Sequence, residues 1–228
     1  MKARLLESRE VAPEIRHFVF DIPELDVFPF QAGQFASLSA TIGGRIITRA
    51  YSLASRASGN RFELCLNRVD DGLFSPLLFG MEPGALVDLS GPLGYFHWRQ
   101  PESDSILVAT GTGIAPFRGM LQEPLGSSQQ VTLVFGVRYE ANLLYRDEFE
   151  TLEAAHAAQF RFLPVLSRPP LSWKGRSGHV QDHVLAALGD RRDVNVYICG
   201  MKAMVDDLRS QLKSLGLDRK RIIYEKYD

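Results

Sequence analysis

Cysteine is nearly missing from this chain: 228 residues hold only Cys65, inside an alternating strand pattern, and Cys199, at a strand end. Two thiols so placed make neither a disulfide framework nor a metal cage, and an iron–sulfur cluster needs several cysteine ligands. No metal is expected. Charge of one sign is missing too. Lysine and arginine number 26 and aspartate and glutamate 27, a formal net charge of -1, with a pI near 6.5. No global field therefore draws the molecule to nucleic acid or to anionic lipid. Apolar runs are short. The opening Met1-Lys2-Ala3-Arg4-Leu5-Leu6-Glu7 has no stretch long enough for a signal peptide, nothing later approaches a membrane span, and no repeat or low-complexity tract occurs. A cytoplasmic, monomeric, metabolite-handling protein with no nucleic-acid or membrane partner is expected.

What the chain does have is a change of period near residue 100. Before it, short apolar-alternating runs are broken by turn residues: Ile15 to Ile22, Gln34 to Ala40, Ile46 to Leu53, Phe62 to Val69 and Ala85 to Ser90. These predict an antiparallel β-barrel or sandwich, with turns at Gly43-Gly44 and Pro83-Gly84 and one short helix from Ser75 to Leu78. After Pro101-Glu102-Ser103-Asp104, strand and helix alternate. Strands are predicted at Ile106 to Ala109, Val131 to Phe135, Phe160 to Leu166, Val194 to Cys199 and Arg221 to Tyr224. Helices are predicted at Pro116 to Leu121, Leu144 to Ala158, Val180 to Leu188 and Ala203 to Leu215. Repeated βα units imply a parallel sheet covered on both faces. The length suits two domains, 1–100 and 101–228, each large enough to bury a core.

Arg49-Ala50-Tyr51-Ser52 ends the third of those early strand patterns. A guanidinium fork matches phosphate oxygens, a phenol offers a stacking face with a polar end, and a small hydroxyl donates or accepts. The set suits a flavin and its phosphates; the plain alternative is a strand with Tyr51 in the core and Arg49 in solvent. In the second half, Gly111-Thr112-Gly113-Ile114-Ala115-Pro116 follows a strand and opens a helix. That arrangement brings backbone amides against a pyrophosphate, with Pro116 suited to the first helical turn. The turn has proline where a Rossmann fingerprint has its third glycine, and no acidic residue stands where a ribose ligand is expected.

With Cys199-Gly200-Met201-Lys202-Ala203-Met204, these motifs resemble in order and spacing the ferredoxin-NADP reductase family, and the likeness runs nearly end to end. The resemblance implies an N-terminal antiparallel Greek-key β-barrel that binds FAD and a doubly wound parallel-sheet domain that binds NADP(H), with the flavin in the cleft between them. It implies hydride transfer between NADP(H) and FAD, and single electrons passing to or from a ferredoxin or flavodoxin. Arg49, Ala50, Tyr51 and Ser52 then take the flavin pyrophosphate and ring. Cys65, Leu66 and Asn67 match the second flavin strand, and Gly72, Phe74 and Ser75 the turn that closes on the pyrophosphate. Gly91-Pro92-Leu93-Gly94 matches a junction element with no catalytic role.

On the nicotinamide side, the resemblance gives Gly111, Thr112, Gly113 and Pro116 to the pyrophosphate turn, with Thr112 also near the flavin. Ser167 and Arg168 match the pair that grips the 2′-phosphate of NADP. The lysine and tyrosine that complete the plant-type pocket fall at Ser177 and His179, so Arg176 stands in for the charge and His179 for the stacking ring. Cys199, Gly200 and Met201 match the segment where nicotinamide docks. The terminal Glu225 and Tyr227 match residues near the catalytic serine and over the flavin, although Asp228 follows and Tyr224 is the fallback for the ring. Ser52, Cys199, Glu225 and Tyr227 are the catalytic candidates. Rival readings are an NADH-dependent oxygenase-reductase component or a free flavin reductase, and a flavin-holding electron-transfer subunit without nicotinamide chemistry.

Overall fold

The computed structural model describes residues 1–100 and 102–227; Pro101, at the expected domain boundary, and Asp228, behind Tyr227, lie outside the described residues. Contacts divide the chain into two compact units. The first comprises residues 1–98 with 115–123, and the second residues 99–114 with 124 onward.

In the first unit, β1 (Lys2–Ala12), β2 (Ile15–Asp21), β3 (Phe35–Ile42), β4 (Arg45–Ser52), β5 (Arg61–Asn67) and β6 (Leu86–Leu93) form one antiparallel sheet in the order β4-β3-β6-β1-β2-β5. Leu53 bridges Leu64, so the sheet closes on itself. The return of β6 to lie between β1 and β3 is the long connection of a Greek key. Alternation decides which side chains go inside: Phe18, Phe20 and Phe62 are fully buried, with the Phe20 and Phe62 rings stacked at 5.4 Å. The predicted short helix is α1 (Phe74–Phe79). Helix α2 (Ala115–Leu121) also packs in this unit, where Arg118 donates to the Ala54 carbonyl at 2.8 Å and pairs with Glu63.

Strand β1 was not among the predicted strands. Its inward Ala3 and Leu5 are buried, but a register shift between Leu5 and Glu7 resets the alternation, and charged residues fill the outward positions.

In the second unit, β7 (Ser105–Thr110), β8 (Val131–Val137), β9 (Phe160–Leu166), β10 (Arg176–Ser177), β11 (Asn195–Met201) and β12 (Ile222–Tyr227) form a parallel sheet in the order β10-β9-β8-β7-β11-β12. Strands β7 and β11 are buried almost throughout, as a sheet covered on both faces requires. Helices α4 (Val180–Leu188) and α5 (Lys202–Ser214) share a core with Ile106, Val134, Val165 and Ile198. Helix α3 (Arg146–Ala155) sets Phe149 against Phe162 of β9, with ring centroids 5.4 Å apart. It begins two residues later than predicted because Tyr145 adopts a left-handed backbone, φ 56°. Strand order reverses at β7, which has β8 on one side and β11 on the other, and an open α/β sheet binds ligands at the carboxyl ends beside such a point. Among the described residues no helix is long and apolar enough to cross a membrane.

Candidate functional site

Along β4 exposure does not follow strand alternation: Arg49 and Ala50 are exposed, Tyr51 is half-buried and Ser52 is buried. The Arg49 guanidinium donates to the Thr48 carbonyl at 2.8 Å, which leaves most of its five N–H groups for an anion. Burial pushes the Tyr51 phenol up to about 12, and the Arg49 charge offsets only part of that, so the ring stays neutral at any working pH. The Tyr51 ring centroid lies 6.2 Å from that of Phe74, the first residue of α1. Since the Leu53–Leu64 bridge ties the residue after β4 to the middle of β5, Cys65, Leu66 and Asn67 fall in the same neighbourhood. Cys65 and Leu66 are buried, Leu66 within the barrel core; Asn67 is exposed.

The loop between β5 and α1 is drawn tight. The Gly72 N–H donates to the Val69 carbonyl at 2.8 Å, and the Val69 N–H donates to the Ser75 hydroxyl at 2.9 Å. A Cβ at Gly72 would come within 2.9 Å of that carbonyl, so only glycine fits. Ser75 is thus turned back onto the loop and does not cap the helix. The N-cap residue Leu73 makes no side-chain cap bond and the first turn of α1 carries no acid, an arrangement suited to a phosphate.

In the second unit, β7 ends at Thr110 and the chain tightens through a 3-10 turn, Gly111–Ile114, before α2. Gly111 takes a left-handed φ of 55°. A Cβ at Gly113 would strike the Cys199 carbonyl and lie 2.8 Å from the Gly200 Cα. Gly200, at φ 144°, packs on Thr110, whose hydroxyl accepts the Met201 N–H at 3.3 Å. The two glycine motifs, far apart in sequence, therefore form one close joint, and Thr110, which lies outside both motifs, is its third member. Thr112 is half-exposed, Pro116 is buried as the second residue of α2, and Met201 is exposed.

Parallel pairing sets Glu225 beside Cys199 and Tyr227 beside Met201. The fully buried Cys199 thiol is pushed well up, first by burial and then by the Glu225 charge, while a hydrogen bond with Tyr227 acts the other way. It is a neutral thiol. Three of the four catalytic candidates thus meet at one strand end; Ser52 closes β4 in the first unit. Tyr224, the fallback ring, lies on the opposite side of β12 under Arg209.

Beyond β9, the Ser167 N–H donates to the Val137 carbonyl and the Arg168 N–H to the Arg138 carbonyl, both at 2.9 Å. The Arg168 guanidinium reaches the Tyr139 hydroxyl at 3.4 Å. Arg138 and Tyr139, which no motif flags, so join the exposed Ser167 and Arg168. Arg176 is on β10 beside Val165, its carbonyl held by the Trp173 indole at 2.9 Å. Its side chain lines a groove of about 350 Å³ with Arg161 and His183. His179 is exposed just before α4. Among the described residues no group of three or more His, Cys, Asp or Glu could hold a metal ion.

Two domain families match this chain, an oxidoreductase FAD-binding domain over residues 2–98 and an oxidoreductase NAD-binding domain over residues 107–210. The ferredoxin-NADP reductase B of Sorangium cellulosum is 39% identical over 239 residues, covering 100% of this chain and 97% of that protein. The chain belongs to the ferredoxin-NADP reductase family. It is therefore an NAD(P)H-dependent flavoprotein reductase that uses FAD and a nicotinamide dinucleotide. Among other members of this reductase class, the reductase subunit of an Amycolatopsis aromatic O-demethylase is 32% identical, covering 100% of this chain and 69% of that protein. The crystal structure of an Amycolatopsis cytochrome P450 reductase superposes with a TM-score of 0.87 at 30% identity, over 99% of this chain and 69% of that one. Uncapped amides at α1 and the underused Arg49 fork fit a flavin pyrophosphate. The glycine joint at the strand switch point fits a dinucleotide.

Proposed function

We propose that this reductase exchanges electrons between NADP(H) and a one-electron protein carrier, a ferredoxin or flavodoxin, with FAD held by residues 1–100 and NADP(H) by residues 101–228. Bound FAD supplies the step from paired to single electrons. The chain supplies binding and orientation. The meeting of Cys199, Glu225 and Tyr227 at the carboxyl ends of β11 and β12 carries this reading.

On the flavin side, Arg49 with the Phe74 and Ser75 amides neutralises the pyrophosphate across the Gly72 turn. The neutral Tyr51 ring offers a stacking face beside Ala50, Cys65, Leu66 and Asn67 line the strand behind it, and the Ser52 hydroxyl bonds the reacting edge. On the nicotinamide side, Gly111, Thr112, Gly113 and Pro116 shape the pyrophosphate turn. Gly200 and Met201 line the approach, and the neutral Cys199 thiol packs against the reacting ring without bonding to it. Glu225 orients that ring, and Tyr227 yields its place to it.

Coenzyme choice rests on Ser167, Arg168 and Arg176. A guanidinium on the 2′-phosphate is a charge-assisted contact whose loss costs about 1.5–3 kcal/mol. Arg168→Ala is therefore expected to lower kcat/KM for NADPH about 10- to 150-fold and to leave NADH nearly untouched. Equal effects on both coenzymes would make Arg168 a bystander. They would favour the second reading, an NADH-dependent oxygenase-reductase component.

A further inference from the structure

Residues of β12 alternate between two faces. Ile222 enters the core under α4 and α5, and Tyr224 and Lys226 follow on that side. There the Lys226 ammonium meets the Asp206 carboxylate of α5 at 2.5 Å. Arg209 touches the same carboxylate at 3.2 Å and lies 3.5 Å from the centroid of the Tyr224 ring. Glu225 and Tyr227 take the other face, with Cys199. Lys226 stands between them in the chain, so neither can leave Cys199 freely while Lys226 stays fastened.

We propose that Asp206 is a positioning residue: by fastening Lys226 to α5 it clamps the end of β12 and holds Glu225 and Tyr227 against the Cys199 thiol. The clamp is needed because, among the described residues, β12 is an edge strand with β11 as its only neighbouring strand, and its last described residue, Tyr227, pairs with Met201. Strand ends open at little cost, so a tie that is weak in absolute terms still changes the open fraction several-fold. The hydrogen bond from Lys226 holds the Asp206 carboxyl below its usual range, so the tie persists across neutral pH. Its effect on turnover rests on the roles proposed above for Glu225 and Tyr227.

The test uses the flavin-loaded protein without nicotinamide, treated with iodoacetamide. Alkylation of Cys199 and Cys65 is followed separately by peptide mass spectrometry. Cys199 is fully buried and reacts only when the strand end opens. Asp206→Asn is expected to speed Cys199 alkylation about fivefold and to leave Cys65 unchanged. Asp206→Glu restores the slow rate. The same Asn variant is expected to lose kcat with NADPH several-fold while KM moves less than about twofold, because the groups proposed to grip the coenzyme lie elsewhere. An unchanged Cys199 rate overturns the clamp, and so does equal acceleration at Cys65, which would mean general loosening. Faster Cys199 alkylation with unchanged kcat supports the clamp and instead removes Glu225 and Tyr227 from the reaction. Lys226→Gln breaks the same tie from the other end and carries the same expectations if Asp206→Asn does not fold.

Discussion

His17 shows how packing decides the state of a single side chain. Its ring is buried, 3.4 Å from the Glu63 carboxylate that Arg118 also engages. Burial first, then the charges of Arg118 and Arg9, push it down to about 3. In the unfolded chain an imidazole titrates near 6.5. Between those values the unfolded chain binds the extra proton, so this contribution is complete above pH 6.5 and lost as pH falls toward 3. At roughly 1.4 kcal/mol per pH unit, about 2 kcal/mol has gone by pH 5. Urea unfolding at pH 7 and pH 5 is therefore expected to show wild type losing about 2 kcal/mol more than His17→Gln; matching losses would contradict the burial argument. Residues with distinctive chemistry, such as Arg49, Tyr51, Gly113 and Cys199, stand out in the sequence as candidates because few other tasks need them at that spacing. Thr110, Arg138 and Tyr139 do not, because ordinary residue types at strand ends come beside the candidates only through folding.

Among the elements, those with a clean period were easiest to read. Strand β9 and helix α4 have the limits the apolar pattern predicts. Strand β12 runs three residues past the predicted Tyr224 because pairing with Gly200 and Met201, not hydrophobicity, carries Lys226 and Tyr227. The turn after β7 and the end of β11 make the strongest element-scale prediction. A methyl group at Gly113 would have to push the backbone of Cys199 and Gly200, and a strand held on both sides by β7 and β12 cannot give way. Gly113→Ala is expected to cost about 1–3 kcal/mol in thermal or urea unfolding and to weaken nicotinamide binding while flavin content is kept. Wild-type stability with wild-type coenzyme affinity would show that the joint has slack.

For the molecule as a whole, the switch from two-residue alternation to strand-helix alternation made the fold class legible, a barrel-like antiparallel sheet and a parallel sheet. The packing of α2 with the first unit was not legible, since it rests on long-range partners of Arg118, Glu63 and the Ala54 carbonyl, that no local pattern announces. Nor does any local pattern name the electron carrier, because charges of both signs are spread along the chain. One chain is proposed to hold FAD and to let NADP(H) reach it. An anaerobic titration of the purified, flavin-loaded protein with NADPH and, separately, with NADH, following the visible flavin band, tests this. About one equivalent of NADPH is expected to bleach the band, NADH to need at least about tenfold more, and the flavin released on heating to be FAD. A band untouched by either coenzyme, or FMN alone in the released fraction, would contradict it.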